Sequence, residues 1–170
     1  TTGVQNTFIG GAAGDATTTG AYNSGLGYGA LGSNTTASNN TGLGYSALAL
    51  NTTGSSNVAI GNNALDANTT GTSNTAMGSA SLGANTTANS NTALGYASMQ
   101  ENTTGASNTA LGRSSLNANT TASNNTAIGT NAMLLATTGS FNVAVGADAG
   151  DAITTGASHT LMGKSSGTAI

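Results

Sequence analysis

The side chains able to do acid–base, nucleophilic or metal chemistry are few in this chain. A single histidine, His159, and five carboxylates, Asp15, Asp66, Glu101, Asp148 and Asp151, are its only imidazole and carboxylate groups, and cysteine is absent. A zinc site needs a cluster of Cys, His or carboxylate ligands, and calcium loops need oxygen donors at close, regular spacing. The five carboxylates are too sparse for either, and the nearest pair, Asp148 and Asp151, leaves a weak ion site as the lesser alternative. The segment Gly25-Leu-Gly-Tyr-Gly29 looks like a phosphate loop but lacks the Lys-Ser/Thr that closes one. No catalytic, cofactor-binding or metal-ligating residue is therefore assigned, and neither an enzyme nor a cofactor is expected.

One modification chemistry is written repeatedly. Asn-x-Thr sequons begin at Asn34, Asn51, Asn68, Asn85, Asn102 and Asn119, with two more at Asn39 and Asn124. The first six recur at a fixed spacing and are the candidate glycosylation sites. The Thr pairs that follow them offer hydroxyls for O-linked sugars instead. The simpler reading of Asn-Thr-Thr is turn chemistry.

That fixed spacing leads to the organisation of the chain. Written in rows of 17, the 170 residues align from end to end without insertion or deletion. Rows begin at Thr1, Thr18, Thr35, Thr52, Thr69, Thr86, Thr103, Thr120, Thr137 and Thr154, and 1–170 is read as one repeat domain. The consensus is T-T-G-x-x-N-T-A-Φ-G-x-x-A-L-x-x-N, with Φ a large aliphatic residue. The sixth column is Asn6, Asn23, Asn40, Asn57, Asn74, Asn91, Asn108, Asn125 and Asn142, with His159 in the last row as a structural substitute. The ninth is Ile9, Leu26, Leu43, Ile60, Met77, Leu94, Leu111, Ile128, Val145 and Met162. The tenth is always Gly, and the fourteenth is Leu or Met from Leu31 to Met133.

Seventeen residues are too few for a helix pair or a propeller blade. Thr pairs, a fixed Gly and clustered Asn are poor helix material. Short apolar stretches such as Val58-Ala-Ile60 and Ala64-Leu65 read as two strands per row, so the expected fold is all-β, a parallel β-solenoid (β-roll) of ten 17-residue coils. Stacked coils would place equivalent residues roughly 4.8 Å apart. The sixth-column asparagines are expected to form a hydrogen-bonded ladder along the axis. The ninth-column aliphatics and fourteenth-column Leu are expected to be the inward core stacks. Alternation then turns the eighth column away from the ninth, where its Ala strip (Ala59, Ala76, Ala93, Ala110, Ala127, Ala144) reads as a close-approach surface for another chain or another part of the coil, or simply as the residue that fits a tight coil.

Composition excludes several partners. Charged residues are 4% of the chain and its net charge is −3, so no basic footprint for nucleic acid exists. No apolar run is long enough to span a bilayer, no signal peptide is recognised, and a start at Thr1 without Met suggests a processed chain or a segment.

The segments Asn57-Val-Ala-Ile-Gly61, Asn125-Thr-Ala-Ile-Gly129 and Asn142-Val-Ala-Val-Gly146 resemble the head repeats of YadA-like trimeric autotransporter adhesins. The fuller pattern is similar to repeats of bacterial surface fibres and phage tail fibres. The resemblance implies a parallel β-roll, three chains side by side, displayed outside a cell and used to stick to surfaces. The function expected is an extracellular structural fibre segment with an adhesive role, at a cell or virion surface, self-associating as a side-by-side trimer or an end-to-end filament, with a surface or glycan receptor as a further partner. Tyr28, Tyr45 and Tyr96, in one column, suit multivalent weak binding or, equally, cross-strand packing. An ice-binding (antifreeze-type) solenoid and a phage tail-fibre shaft are the alternatives. Gly14, Gly150 and Gly167 break the fourteenth column, as capping coils do, or as adjoining parts of a longer tiled fibre would.

Overall fold

A computed structural model describes residues 2–167. It contains ten three-residue strands: β1 Thr7–Ile9, β2 Ser24–Leu26, β3 Thr41–Leu43, β4 Val58–Ile60, β5 Thr75–Met77, β6 Thr92–Leu94, β7 Thr109–Leu111, β8 Thr126–Ile128, β9 Val143–Val145 and β10 Thr160–Met162. They lie in chain order in one parallel sheet, each residue paired with the residue 17 further on, as Val58 with Thr75 and Ile60 with Met77. The fold is a β-solenoid with one strand per coil.

The second strand expected at Ala64-Leu65 is a turn. Its fourteenth-column residue sits in the left-handed region, with φ of +53° at Leu65 and +55° at Leu31. Two further positions in each coil also turn left-handed, the fifth and twelfth columns, as Ser56 (+61°) and Asn63 (+52°) illustrate. A strand cannot run through such a corner. Backbone groups here still pair coil to coil: Leu65 N–H donates to Ser81 O at 3.0 Å. Interlocking with the neighbouring coil holds these Leu residues in a conformation they rarely adopt alone.

The tenth-column glycine has a separate cause. Gly61 has φ +134°, and a Cβ there would stand 2.7 Å from the Gly78 carbonyl carbon of the next coil. No larger residue fits that corner.

The interior corrects the core expectation. Leu31, Leu48, Leu65, Leu82, Met99, Leu116 and Met133 are fully buried, as expected for the fourteenth column. The eighth column, not the ninth, faces them: Ala59, Ala76, Ala93, Ala110, Ala127 and Ala144 are fully buried. Strands alternate as they must, so the seventh and ninth columns point out together. Ile9, Leu26, Leu94, Leu111 and Met162 are exposed, and Leu43, Ile60, Met77, Ile128 and Val145 are half-buried. The reason is space. A Cβ added at Gly42 in the eighth column would already lie 3.1 Å from Ala47 O and 3.4 Å from Leu31 Cγ. A coil this narrow holds one large aliphatic residue, not two.

The coils near the ends obey the same volume rule with the sizes reversed. In the first coil the Phe8 ring occupies the space opposite Gly14, where a Cβ would be 2.5 Å from its Cδ2. Near the other end Leu161 Cδ1 and Ile153 Cδ1 fill the space beside Gly150, at 2.9 and 3.2 Å from a Cβ placed there.

Candidate interaction surfaces and the ladders beneath them

Buried amides make the framework on which the outer surfaces stand. In the sixth column each Asn Oδ1 accepts the backbone N–H of the Asn one coil on: Asn40 from Asn57 and Asn57 from Asn74, both at 2.9 Å. Each Nδ2 donates to a carbonyl of the next coil, as Asn40 does to Gly54 O at 2.9 Å. The expected ladder is present, and His159 takes its last described rung by donating its N–H to Asn142 Oδ1.

A second ladder runs beside it. Asn51 Nδ2 donates to Asn34 Oδ1 at 2.9 Å and to Gly54 O at 2.9 Å, and Asn68 repeats this on Asn51 Oδ1 (2.8 Å) and Gly71 O (3.0 Å). Gly54 O thus receives an amide from each ladder, tying the two together. This second ladder comprises Asn34, Asn51, Asn68, Asn85, Asn102 and Asn119, all fully buried. The six candidate glycosylation sites are therefore corrected to core residues, their amides spent inside and closed to a sugar. The ladder stops where Ala136 replaces Asn, leaving Asn119 Oδ1 buried without a partner. Recurrence of Asn in the seventeenth column was the visible signal of this ladder, but sequons carry the same letters.

First-column threonines from Thr18 to Thr137 are also spent internally, their hydroxyls donating to the next coil's carbonyl, as Thr52 Oγ1 does to Thr69 O at 3.0 Å. Second-column threonines, Thr2 to Thr155, are exposed.

Three features remain outside. The sheet's outward face carries the ninth-column aliphatics beside Thr41, Thr75, Thr92, Thr109, Thr126 and Val58, with no charged residue among the described strands. The eleventh column stacks Tyr28 on Tyr45, centroids 5.8 Å apart and rings 13° from parallel, while Tyr96 stands exposed further along. The fifth column is exposed along its length and carries the lone aromatics Tyr22 and Phe141.

Asp66 lines a notch of about 240 Å³ with Asn63, Gly83, Gln100 and Glu101, and partial burial raises its carboxyl above the ordinary carboxylate value. Asp148 accepts from Asn131 Nδ2 at 3.1 Å, and Asp151 Oδ1 is buried without a partner. Among the described residues no cluster of three metal-ligating side chains forms. Compared with known proteins, the chain matches no family model, no curated protein and no solved structure.

Proposed function

We propose that this chain is a segment of a structural fibre displayed outside a cell or virion, assembled by packing copies side by side on the outward sheet face and adhesive along its remaining flanks. The observation that carries this reading is the ninth-column file. Ile9 is 59% exposed, Leu94 42%, Leu111 41% and Met162 73%, on a sheet whose described strands carry no charged residue. A continuous apolar file of this length is the mark of an interaction surface. Each coil's interior holds one large side chain, so covering the outward file would add a second apolar layer per coil at about 25 cal/mol per Å² buried. The regular 17-residue register makes the file self-complementary along the axis. Chains side by side therefore meet like residues at every coil.

Adhesion fits the uncovered flanks. Stacked Tyr28 and Tyr45, exposed Thr and Asn, and a surface with few charges offer many identical weak contacts, which multivalency converts to avidity. An ice-binding solenoid is supported less well. The first-column hydroxyls are consumed by carbonyls of the next coil, so each coil offers one free hydroxyl of its Thr pair, not two.

Light-scattering mass and electron microscopy test the reading. We expect rods containing more than one chain, and expect the paired substitution Ile60→Lys with Leu94→Lys to give monomers that keep their β-sheet circular dichroism. A native protein that is monomeric at tens of micromolar overturns side-by-side assembly.

A further inference from the structure

We propose that Asn39 and Asn124 are N-glycosylation sites whose first sugar rests on a neighbouring aromatic ring, Tyr22 at one site and Phe141 at the other. Both asparagines begin Asn-x-Thr sequons, Asn39-Asn-Thr41 and Asn124-Asn-Thr126. Unlike the buried ladder asparagines, both are exposed, and neither side-chain amide is engaged in a hydrogen bond within the chain. Sequon glycosylation requires a surface Asn with a free amide, which these two provide.

A second observation points to the same place. The fifth column is Gln, Ser or Asn in the other coils, yet carries Tyr22 and Phe141 at 58% and 63% exposure. Each aromatic lies one coil from a sequon. Asn39 N–H donates to Ala21 O beside Tyr22 at 3.0 Å, and Phe141 N–H donates to Ser123 O beside Asn124 at 3.2 Å. Backbone angles match too: φ is +60° at Tyr22, +62° at Asn39, +61° at Asn124 and +63° at Phe141. Side chains in this column therefore leave the coil in the same direction, roughly 4.8 Å apart. A pyranose joined to either Asn has the C–H face of its ring at stacking distance from the adjacent aromatic, an amphipathic surface suited to it.

The chemistry is an ordinary transfer. The Asn Nδ2 attacks the anomeric carbon of an oligosaccharide activated as a lipid diphosphate. The N–C bond forms as the C–O bond to phosphate breaks, the diphosphate departs, and the proton released from the amide nitrogen is taken up by the departing diphosphate through solvent.

The proposal draws on the extracellular reading only for the compartment, and its test does not depend on self-association. The full chain is secreted from a glycosylating eukaryotic cell, and the folded product is peptide-mapped with and without enzymatic deglycosylation. Expected are glycans at Asn39 and Asn124, lost from the Asn39→Gln/Asn124→Gln variant, and none at Asn51 or Asn68. Stacking of the sugar is expected to raise the melting temperature of the glycosylated over the deglycosylated protein by roughly 2–4 °C. The increment should disappear in Tyr22→Ala/Phe141→Ala, which retains both acceptors. Folded product carrying sugar on the ladder asparagines overturns the proposal, as does an unmodified Asn39 and Asn124 when a reporter glycoprotein from the same cells is modified. An increment unchanged by removing the aromatics overturns their part in it.

Discussion

A single asparagine can be worth more here than a leucine on the surface, because each ladder amide serves three neighbours. Asn68 donates to Asn51 Oδ1 and Gly71 O and accepts from Asn85 Nδ2. Asn68→Ala orphans buried partners on both sides, at about 1–3 kcal/mol for each group left unsatisfied. We expect it to lower stability by at least ~3 kcal/mol in urea denaturation, whereas Asn39→Ala, whose exposed side chain is unbonded but whose backbone is left-handed at φ +62°, should cost no more than about 1 kcal/mol. Asp66 gives a residue-scale pH effect. Burial raises its folded carboxyl pKa, so the folded state holds its proton to higher pH than the unfolded chain does. Its contribution to stability is full below the unfolded value and is lost as pH rises through the folded one. Asp66→Asn should therefore be more stable than the parent at neutral pH, with the gap closing on acidification below the ordinary carboxylate range. Melting curves at several pH values check this, and a gap that widens in acid contradicts it. Which asparagines are internal was only half legible in the sequence. The sixth column showed as a ladder, but the seventeenth hid behind its sequons.

At the scale of the coil, the organising fact is a fixed interior volume. Middle coils fill it with Leu or Met at the fourteenth column against Ala or Gly at the eighth, and the first coil with Phe8 against Gly14. The glycine at that left-handed corner is free of the strain that Leu31 tolerates at φ +55°. Phe8→Ala alone should open a cavity, and Gly14→Leu alone should force a clash with the Phe8 ring. Each is expected to cost about 2 kcal/mol. Together they rebuild the pairing of a middle coil, Ala59 with Leu65, and a double-mutant cycle should recover most of the loss. Amide exchange at Thr7–Ile9 reports it locally, and simple additivity would refute the volume rule. The atypical glycines were visible in the sequence as broken columns. Their compensation by Phe8 and Leu161 was not, because Phe8 sits six positions from Gly14 and Leu161 eleven from Gly150, and only the closed coils bring them together.

For the whole molecule, ten coils held in strict register make a rod whose faces are columns of like residues. Apolar Φ residues form one face, tyrosines and asparagines stand in others, and carboxylates are few. That geometry favours repetition over a focused site. It agrees with the absence of a metal-ligating cluster among the described residues and with assembly, adhesion and surface modification as the chemistry to test. Copies packed on the sheet face would leave the fifth column, with Asn39 and Asn124, on a flank of its own.

The period of 17, the parallel stack of coils, the tenth-column corner glycine and the Asn ladder of the sixth column were determined by sequence alone, because perfect repetition forces like residues into register whatever the coil's cross-section. Tertiary structure decided which side of the strand is inside. Alternation says only that the eighth column opposes the seventh and ninth. The choice between Ala and the larger Φ residue depends on the width of the closed coil, which three left-handed corners set and no single row reveals. That decision moved the aliphatic file from core to surface and the sequon asparagines from surface to core.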